Sequence, residues 1–253
     1  MGDTLLEVRK LNKTFGTVVT AKDLDFSLQR GVLTSIIGPN GAGKSTLINL
    51  ITGLLAPDSG EIWFQGRNIT REPIHRRVRE GLCRSFQIAN VFNDLTLFEN
   101  IAIPMLAAKR KARGIFRAVR SHKEVQAEVE TVLERVGLLS HSHVVAKALS
   151  HGDQRILEVA IALAAKPRLL FLDEPTAGMN PVERTKILQT IRQLAQTGDV
   201  TFVIVEHDMD IVFALSERVM ALHRGEIIGD GSEEQIKMNR QVREVYLGEE
   251  VTA

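Results

Sequence analysis

The amino-acid sequence predicts an α/β fold with a core of buried strands, an antiparallel β subdomain and an inserted helical lobe. Short runs of apolar, largely β-branched residues, such as residues 32–37 and 201–205, indicate strands that are buried on both faces. Two early segments alternate apolar and polar residues, and a middle stretch changes to helical periodicity. The chain has 253 residues, near the upper size for one hydrophobic core, so we expect one domain with a subsidiary lobe.

The two alternating segments, residues 5–11 and 23–28, are expected to form antiparallel strands with one solvated face. The buried strand at 32–37 follows them, and a glycine-rich turn comes directly after it. Apolar side chains then recur at helical spacing as far as Gly53, which predicts a helix that stops there.

The glycine-rich turn matches the phosphate-binding template G-x-x-x-x-G-K-[ST]. Between a strand and a helix, the backbone amides of such a turn and the helix N-terminus all face one anion. We therefore expect an α/β fold with a P-loop NTPase (RecA-like) core that binds a nucleoside triphosphate. The loop and its helix start comprise Gly38, Pro39, Asn40, Gly41, Ala42, Gly43, Lys44, Ser45 and Thr46.

Four side chains are candidates for chemistry on the triphosphate. Lys44 is expected to contact the β- and γ-phosphates, and the Ser45 hydroxyl to bind Mg²⁺. Asp173 and Glu174 end a further buried strand, residues 169–172. Asp173 is expected to hold Mg²⁺ beside Ser45, directly or through water. Glu174 is expected to polarise the attacking water as a general base.

Two further side chains are ambiguous from spacing alone. Phe15 lies before the glycine-rich turn and either stacks on a nucleotide base or packs into the core at a strand end. His207 follows the strand at 201–205, at the same predicted sheet edge as Glu174. A histidine in that position is either an ordinary surface residue or a sensor of the γ-phosphate.

The middle of the chain is expected to form the helical lobe, because apolar residues recur at helical spacing from Val125 to Val136. Residues 109–123 contain seven Lys or Arg and no acid. This basic insertion is a solvated face, a contact for an anionic membrane surface or a membrane partner, or a nucleic-acid contact. The expected organisation is 1–89 as the nucleotide-binding core with the antiparallel strands and P-loop, 90–158 as the helical lobe, 159–232 as the second part of the core, and 233–253 as a C-terminal helix and tail.

Bulk composition excludes several classes of function. The formal net charge is +1, which argues against a protein that mainly coats nucleic acid. Cys83 is the only cysteine, so we expect no disulfide framework and a reducing compartment. No apolar run approaches the roughly 18 residues of a membrane span, and no secretory signal opens the sequence, so a soluble intracellular protein is expected.

A short segment, residues 149–154 (Leu-Ser-His-Gly-Asp-Gln), opens another predicted helix. Ser150 is a good N-cap and Asp153 completes a capping-box pattern, so an ordinary helix start is one explanation. Together with the other motifs, however, the segment resembles the motif set of ATP-binding-cassette ATPases, and this resemblance covers essentially the whole chain. The motifs that carry this resemblance are, in order, residues 38–46, Gln87, 149–154, 173–174, 177–180 and His207.

The resemblance implies roles that spacing alone does not assign. Gln87 is similar to the glutamine that links Mg²⁺ and water to the helical lobe. Ser150, His151 and Gly152 stand in the signature, which in this family closes on the γ-phosphate of ATP held by a second subunit. The other implied roles are the catalytic base for Glu174, the switch histidine for His207 and the adenine-stacking aromatic for Phe15.

Departures from the family pattern narrow the resemblance to one subfamily. The family signature is usually Leu-Ser-Gly-Gly-Gln, but here His151 replaces its first Gly and Asp153 replaces its Gln. The loop after the second acid usually ends in Asp, and here that position is Asn180. These features and the basic insertion resemble the ATPases of branched-chain amino-acid importers. Close relatives of those ATPases import urea or drive lipopolysaccharide export.

The resemblance thus implies an ATP-binding, ATP-hydrolysing motor subunit of an ABC importer for branched-chain amino acids, with ATP and Mg²⁺ as cofactors. Its expected partners are transmembrane permease subunits, a second cassette ATPase (identical or related) and, indirectly, a solute-binding protein, but no nucleic acid. We expect it in the cytoplasm, peripheral on the inner face of the plasma membrane. The alternatives are a urea importer, a lipopolysaccharide exporter, a soluble cassette ATPase of DNA repair or translation, and a stand-alone phosphotransferase.

One prediction at Asp153 comes from local physics. A carboxylate near a helix N-terminus is stabilised by the helix dipole. The same helix end is expected to face a phosphate, which would repel an extra negative charge. We therefore expect Asp153 to point back towards the backbone N–H of Ser150, leaving Ser150 and backbone amides to meet the phosphate.

Overall fold

The computed structural model describes residues 3–85, 91–108 and 123–246. Its strands are β1 (Thr4–Phe15), β2 (Val18–Gln29), β3 (Thr34–Ile37), β4 (Ser59–Phe64), β5 (Arg67–Asn68), β6 (Leu82–Arg84), β7 (Leu169–Asp173), β8 (Thr201–Val205), β9 (Arg218–His223) and β10 (Glu226–Gly231). Its helices are α1 (Lys44–Thr52), α2 (Ile74–Arg79), α3 (Leu97–Ala108), α4 (Lys123–Arg135), α5 (His151–Ala164), α6 (Pro181–Gln196), α7 (Met209–Leu215), α8 (Glu233–Met238) and α9 (Arg240–Tyr246).

A four-stranded antiparallel sheet has the order β2-β1-β4-β5. In β1, Val8 pairs with Phe26 of β2 on one side and with Ile62 of β4 on the other, and all three are buried. Because alternate residues of a strand point to opposite faces, the alternating sequence pattern gives one dry face and one solvated face. The predicted antiparallel strands are therefore confirmed, and both extend beyond the predicted segments.

A six-stranded sheet forms the core, in the order β10-β9-β3-β8-β7-β6. Neighbouring strands from β9 to β6 are parallel, and β10 joins β9 antiparallel at one edge. Leu170 and Phe202 pack with the apolar faces of α3 to α6, whereas Leu169 and Val203 pack with α1 and the antiparallel sheet. Burial on both faces is why these strands are continuous apolar runs in the sequence.

Helices α3, α4 and α5 pack against one another and lie between β6 and β7 in chain order. The buried residues of α4 recur at helical spacing, as predicted, and they are Val125, Val129, Val132 and Leu133. In α3 the buried Asn100 makes four hydrogen bonds to the backbone of the preceding loop, which ties the loop to the helix. No helix in the described ranges is both long and apolar enough to cross a bilayer.

The single cysteine, Cys83, lies in β6 and is buried in the core. Burial raises the pKa of its thiol to about 12, because the charged thiolate is disfavoured away from water. Cys83 is therefore an uncharged packing residue at neutral pH.

Candidate functional site

The carboxyl ends of three neighbouring strands carry most of the predicted site residues. Strand β3 runs directly into the glycine-rich loop, β7 ends at Asp173 with Glu174 next, and β8 is followed by Glu206 and His207. Because β3 pairs with β8 and β8 with β7, all in parallel, these three ends lie side by side. Open α/β sheets bind their ligands at this edge.

Glycines allow the loop to pack closely against two strands. Gly43 has φ +104°, and a Cβ there would lie 2.3 Å from the carbonyl oxygen of Thr20 in β2. At Gly38 a Cβ would lie 2.6 Å from the carbonyl oxygen of Leu222 in β9. Side chains at these positions would push the loop off the strands that support it. Of the other loop residues, Pro39, Asn40, Gly41 and Ser45 are exposed, Ala42 is buried and Thr46 is half-buried.

The N-terminus of α1 differs from those of α5 and α6. Its N-cap, Gly43, offers no side-chain hydrogen bond, and its first turn contains no acidic residue. By contrast, Ser150 caps α5 and Asn180 caps α6. The first amides of a helix carry partial positive charge and need acceptors, so an uncapped start suits an anion. The loop and α1 therefore fit the expected triphosphate.

Lys44, in the first turn of α1, directs its ammonium back over the loop. It donates hydrogen bonds to the carbonyl oxygen of Gly38 and, at 3.2 Å, to that of Pro39. Partial burial lowers the pKa of Lys44, and the negative charges of Glu174 and Asp173 act in the opposite direction. Lys44 thus contacts the loop through hydrogen bonds and interacts electrostatically with the two acids at the end of β7.

Asp173 is paired with an arginine that the sequence analysis did not assign. Arg84, at the end of β6, donates to Asp173 Oδ2 and, at 2.7 Å, to Oδ1 of Asn49 in α1. Both members of the ion pair are largely buried. In the described part of the chain, no group of three or more His, Cys, Asp or Glu side chains could hold a metal ion. The exposed Ser45 hydroxyl and the Asp173 carboxylate are oxygen ligands of the kind that Mg²⁺ takes together with waters and phosphate oxygens.

Glu174 and His207 face each other across adjoining strand ends. Glu174 Oε1 lies 3.7 Å from Nδ1 of His207, and the two side chains are 45% and 66% exposed. Glu174 has φ +44°, which is uncommon for a residue other than glycine, and its backbone N–H donates to the carbonyl oxygen of Val205 at 2.9 Å. Strained backbone of this kind clusters at active sites, where the surrounding structure holds it.

A buried carboxylate anchors the loop after Glu174. Glu206 is 1% exposed, and its Oε1 accepts hydrogen bonds from the Thr176 hydroxyl at 2.6 Å and the Thr176 N–H at 3.3 Å. Glu206 immediately precedes His207, and Thr176 stands two residues after Glu174. The contact therefore fixes one strand end against the other, and with it the spacing of Glu174 and His207.

The segment 149–154 begins α5, with Ser150 as its N-cap. Ser150 Oγ accepts from the N–H of Asp153 at 3.1 Å and donates to Asp153 Oδ2 at 2.9 Å. Asp153 Oδ1 lies 2.5 Å from Nζ of Lys186 in α6. Burial alone would raise the pKa of Asp153, but the hydrogen bonds from Lys186 and Ser150 outweigh it and lower the pKa. Asp153 therefore turns back to Ser150 as predicted, although its partner is the hydroxyl and not the backbone N–H.

A second acid contacts the same turn from α6. The N–H of Gly152 donates to Glu183 Oε1 at 3.1 Å, and the N–H of Asn180 donates to Glu183 Oε2 at 3.3 Å. A Cβ at Gly152 would lie only 2.9 Å from Cγ of Glu183, so the two elements are in close contact. His151 is exposed in the first turn of α5. The polar contacts of the signature segment in the described part of the chain thus go to α6 and to its own neighbours.

Phe15 ends β1 with 47% of its surface exposed, which excludes the alternative of a core residue. Its neighbour Lys13 places Nζ 5.4 Å from the ring centroid. Gln87 lies outside the described residues, as does the basic insertion apart from Lys123.

Three residues at or near the candidate site have no role that the sequence motifs assign, namely Arg84, Glu183 and Glu206. Glu183 stands three residues after Asn180, a capping-box spacing that is visible in the sequence. Glu206 is a charged residue directly after four apolar ones, which marks a strand end. Arg84 carries no such signal, because its partners Asn49 and Asp173 are distant in the chain.

Known proteins resemble the chain over almost its whole length. A family model described as ABC transporter matches residues 21–177. The chain is 34% identical over 256 residues to the high-affinity branched-chain amino acid transport ATP-binding protein LivG of Escherichia coli, a match that covers 98% of this chain and 100% of LivG. It is 32% identical over 251 residues to the lipopolysaccharide export system ATP-binding protein LptB of Acidithiobacillus ferridurans, covering 97% of this chain and 98% of LptB.

Solved structures agree with these sequence relatives. The crystal structure of the ADP conformation of MJ1267, an ATP-binding cassette of an ABC transporter, gives a TM-score of 0.85 at 31% identity. The alignment covers 97% of this chain and 99% of that one. With the P-loop, the paired strand-end acids and the signature turn in place, the chain belongs to the ABC transporter family as one of its ATP-binding cassettes.

Proposed function

We propose that this protein is the ATP-hydrolysing motor subunit of an ABC importer for branched-chain amino acids. The observation that carries the proposal is the sheet edge, where an uncapped P-loop helix lies beside the facing Glu174 and His207. The similarity to LivG over the full length supports the choice of solute, because the name of LivG assigns it to branched-chain amino acid transport.

Within one subunit, the P-loop amides and Lys44 bind the β- and γ-phosphates of ATP, and Phe15 stacks on the adenine. Ser45 and Asp173 would hold Mg²⁺, which would neutralise charge at the phosphate oxygens. Glu174 accepts a proton from the attacking water as general base. His207 senses the γ-phosphate in this proposal, and its position 3.7 Å from Glu174 supports that role.

Two cassettes are needed to complete each site in this proposal. The signature turn of one subunit, with Ser150, His151 and Gly152, closes on the γ-phosphate of ATP held by the other. Gln87 relays closure to the helical lobe, which pushes on transmembrane permease subunits. The working complex sits on the inner face of the plasma membrane and receives its solute from a binding protein outside.

Glu174→Gln tests the catalytic assignment, because glutamine keeps the shape of the side chain but cannot accept the proton. Turnover should fall by about 10²-fold or more, the usual scale of general-base catalysis, while ATP affinity is retained. Phosphate release and titration calorimetry measure the two quantities. Glu130→Gln, an exposed residue of α4, makes the same charge change away from the site and should leave both unchanged. Near wild-type hydrolysis by Glu174→Gln would contradict the assignment.

Purification of the native complex tests the transported solute. An importer for branched-chain amino acids should co-purify with permease subunits and a binding protein that takes up leucine, isoleucine or valine in a filter-binding assay. The 32% identity to LptB makes lipopolysaccharide export the second candidate. A lipopolysaccharide exporter would co-purify without a solute-binding protein. Co-purification of a protein that binds urea would instead indicate a urea importer, the third candidate.

A further inference from the structure

The signature turn is capped by two carboxylates of its own chain. The N–H of Gly152 donates to Glu183 Oε1 at 3.1 Å. The hydroxyl of Ser150 donates to Asp153 Oδ2 at 2.9 Å. These two donors are the groups that the proposed function offers to the γ-phosphate of a partner's ATP. Both are therefore already engaged inside the single subunit.

The contact at Gly152 cannot coexist with a strong bond to phosphate. A backbone amide carries one hydrogen, so a phosphate oxygen that takes it must displace Glu183 Oε1. The two acceptors are also both negative, and Glu183 is only partly exposed while Gly152 is buried. Like charges in such a partly buried place repel more strongly than charges in open solvent.

Glu183 has a second anchor that does not depend on the signature. Its Oε2 accepts from the N–H of Asn180 at 3.3 Å, and Asn180 Oδ1 accepts from the N–H of Glu183 at 3.0 Å. This capping box holds the start of α6 whether or not Gly152 is bound. One turn further along α6, Lys186 keeps its contact with Asp153 at 2.5 Å. Glu183 is thus able to release Gly152 without unfolding either helix end.

We propose that Glu183 is a positioning residue that occupies the signature amide in the free subunit and yields it to the γ-phosphate of a partner's ATP. Because the same carboxylate bonds Asn180, it also couples the signature turn to the loop that leads from Glu174 into α6. The inference rests on the proposed function, namely on ATP-driven pairing of two cassettes. Its consequence is that the charge of Glu183 opposes closure of the pair.

The test compares Glu183→Gln with Glu130→Gln, both in a Glu174→Gln background that slows hydrolysis. Glutamine keeps the size of residue 183 and one acceptor oxygen but removes the charge, and Glu130 is exposed on α4. Sedimentation velocity measures the dimer fraction against MgATP concentration. The ATP concentration at half-dimerisation should fall by at least about 5-fold in Glu183→Gln, which is the low end of typical coupling between sites. In Glu130→Gln this concentration should be the same as in the parent.

A second measurement separates positioning from simple stabilisation. The ATP affinity of the dilute monomer should be equal in the parent, Glu183→Gln and Glu130→Gln, because Glu183 bonds the signature and α6 and not the P-loop.

A further variant, Glu183→Ala, also removes the capping box. It should melt at a lower temperature than the parent yet still dimerise at a lower ATP concentration.

Two results would overturn the inference, and they are distinguishable. If the Glu174→Gln parent dimerises with ATP but Glu183→Gln and Glu183→Ala need as much ATP or more, Glu183 is only a helix cap. If the parent binds ATP yet shows no dimer at any concentration, the proposed pairing of cassettes fails, and the inference fails with it.

Discussion

Phe15 is a large apolar side chain with nearly half of its surface exposed, and it lies where β1 ends, two strands before the P-loop. A ring in that position is available to stack on a base. Phe15→Ala should therefore cost roughly 1–3 kcal/mol in nucleotide affinity, by analogy with aromatic stacking on nucleic-acid bases. Stacking does not distinguish between bases, so ATP and GTP should be affected alike in titration calorimetry.

Phe92 provides the matched control, since it is an aromatic residue that is 50% exposed and lies beside α3 in the helical lobe. Phe92→Ala should leave nucleotide affinity unchanged. A drop in melting temperature of Phe15→Ala with constant affinity would assign the ring to stability instead.

Asp153 combines a local stabilising role with a position close to the proposed phosphate contact. Its carboxylate bonds Ser150 and Lys186, so Asp153→Asn should lower the melting temperature of the nucleotide-free subunit slightly. Because the change also removes a negative charge at the signature, ATP-driven dimerisation should be intact or a little stronger. Thermal melts, together with sizing of the dimer in a Glu174→Gln background, test both parts. Loss of the dimer at unchanged monomer stability would mean a direct contact across the subunits.

The residues that the sequence predicted for the site are those with local signals. Lys44 follows a fixed glycine spacing, and Glu174 follows a buried apolar run. Arg84 could not be assigned in this way, because it reaches its partner Asp173 only when the sheet forms. Glu206 does follow an apolar run, but its contact with Thr176 also depends on the folded sheet, so the run alone gives it no role. The pairing of side chains across a sheet edge is a tertiary property, and periodicity carries no information about it.

The helix that follows the P-loop depends on a buried arginine at its other end. Arg77 in α2 donates to the carbonyl oxygens of Leu50 and Ile51 in the last turn of α1, at 2.8 and 2.6 Å. Burial lowers the pKa of Arg77 to about 10, which still leaves it charged at neutral pH. The side chain therefore caps the C-terminal end of α1, where positive charge is favourable.

Arg77→Met should destabilise the protein, because methionine fills similar space but leaves these carbonyls without their donor. A buried polar group left unsatisfied costs about 1–3 kcal/mol, so the free energy of unfolding should fall by about 2 kcal/mol or more in urea titration. Arg76→Met is the control, since Arg76 is exposed and pairs only with Glu72 among the described residues. Equal stability of the two variants would contradict the capping role.

Elements with a clear period were predictable and the shortest ones were not. The strand Thr201–Val205 has the predicted bounds, and α1 ends at Gly53 in the left-handed conformation that glycine favours. Strand β6 has three residues, too few for any period to be visible. Near the C-terminus, Asn239 accepts a hydrogen bond from the N–H of Val242 and divides the described chain there into α8 and α9.

The whole molecule should respond to nucleotide through its melting temperature. A ligand that binds only the folded state at 100 times its Kd stabilises by about 2.7 kcal/mol, which for a chain of this size raises the Tm by roughly 5–10 °C. MgATP should produce such a shift in Glu174→Gln. Adding Lys44→Ala should remove most of it, because the ammonium offsets phosphate charge in the bound ground state.

Differential scanning fluorimetry at fixed protein concentration measures this shift. A melt without nucleotide is the control, and it should show that Lys44→Ala alone changes the Tm little, since Lys44 is only partly buried. An equal MgATP shift with and without Lys44 would show that another residue binds the phosphates.

The burial of Cys83 makes the protein a ready background for site-specific labelling. Maleimides react with the thiolate, and with a pKa raised to about 12 almost none of this thiol is ionised at the pH of a labelling reaction. A cysteine introduced at Val182, which is highly exposed at the start of α6, would therefore react with the maleimide while Cys83 remains almost unlabelled. Spin labels or fluorophores placed there in an otherwise native sequence would report the distance between two paired cassettes directly, as ATP is added and consumed.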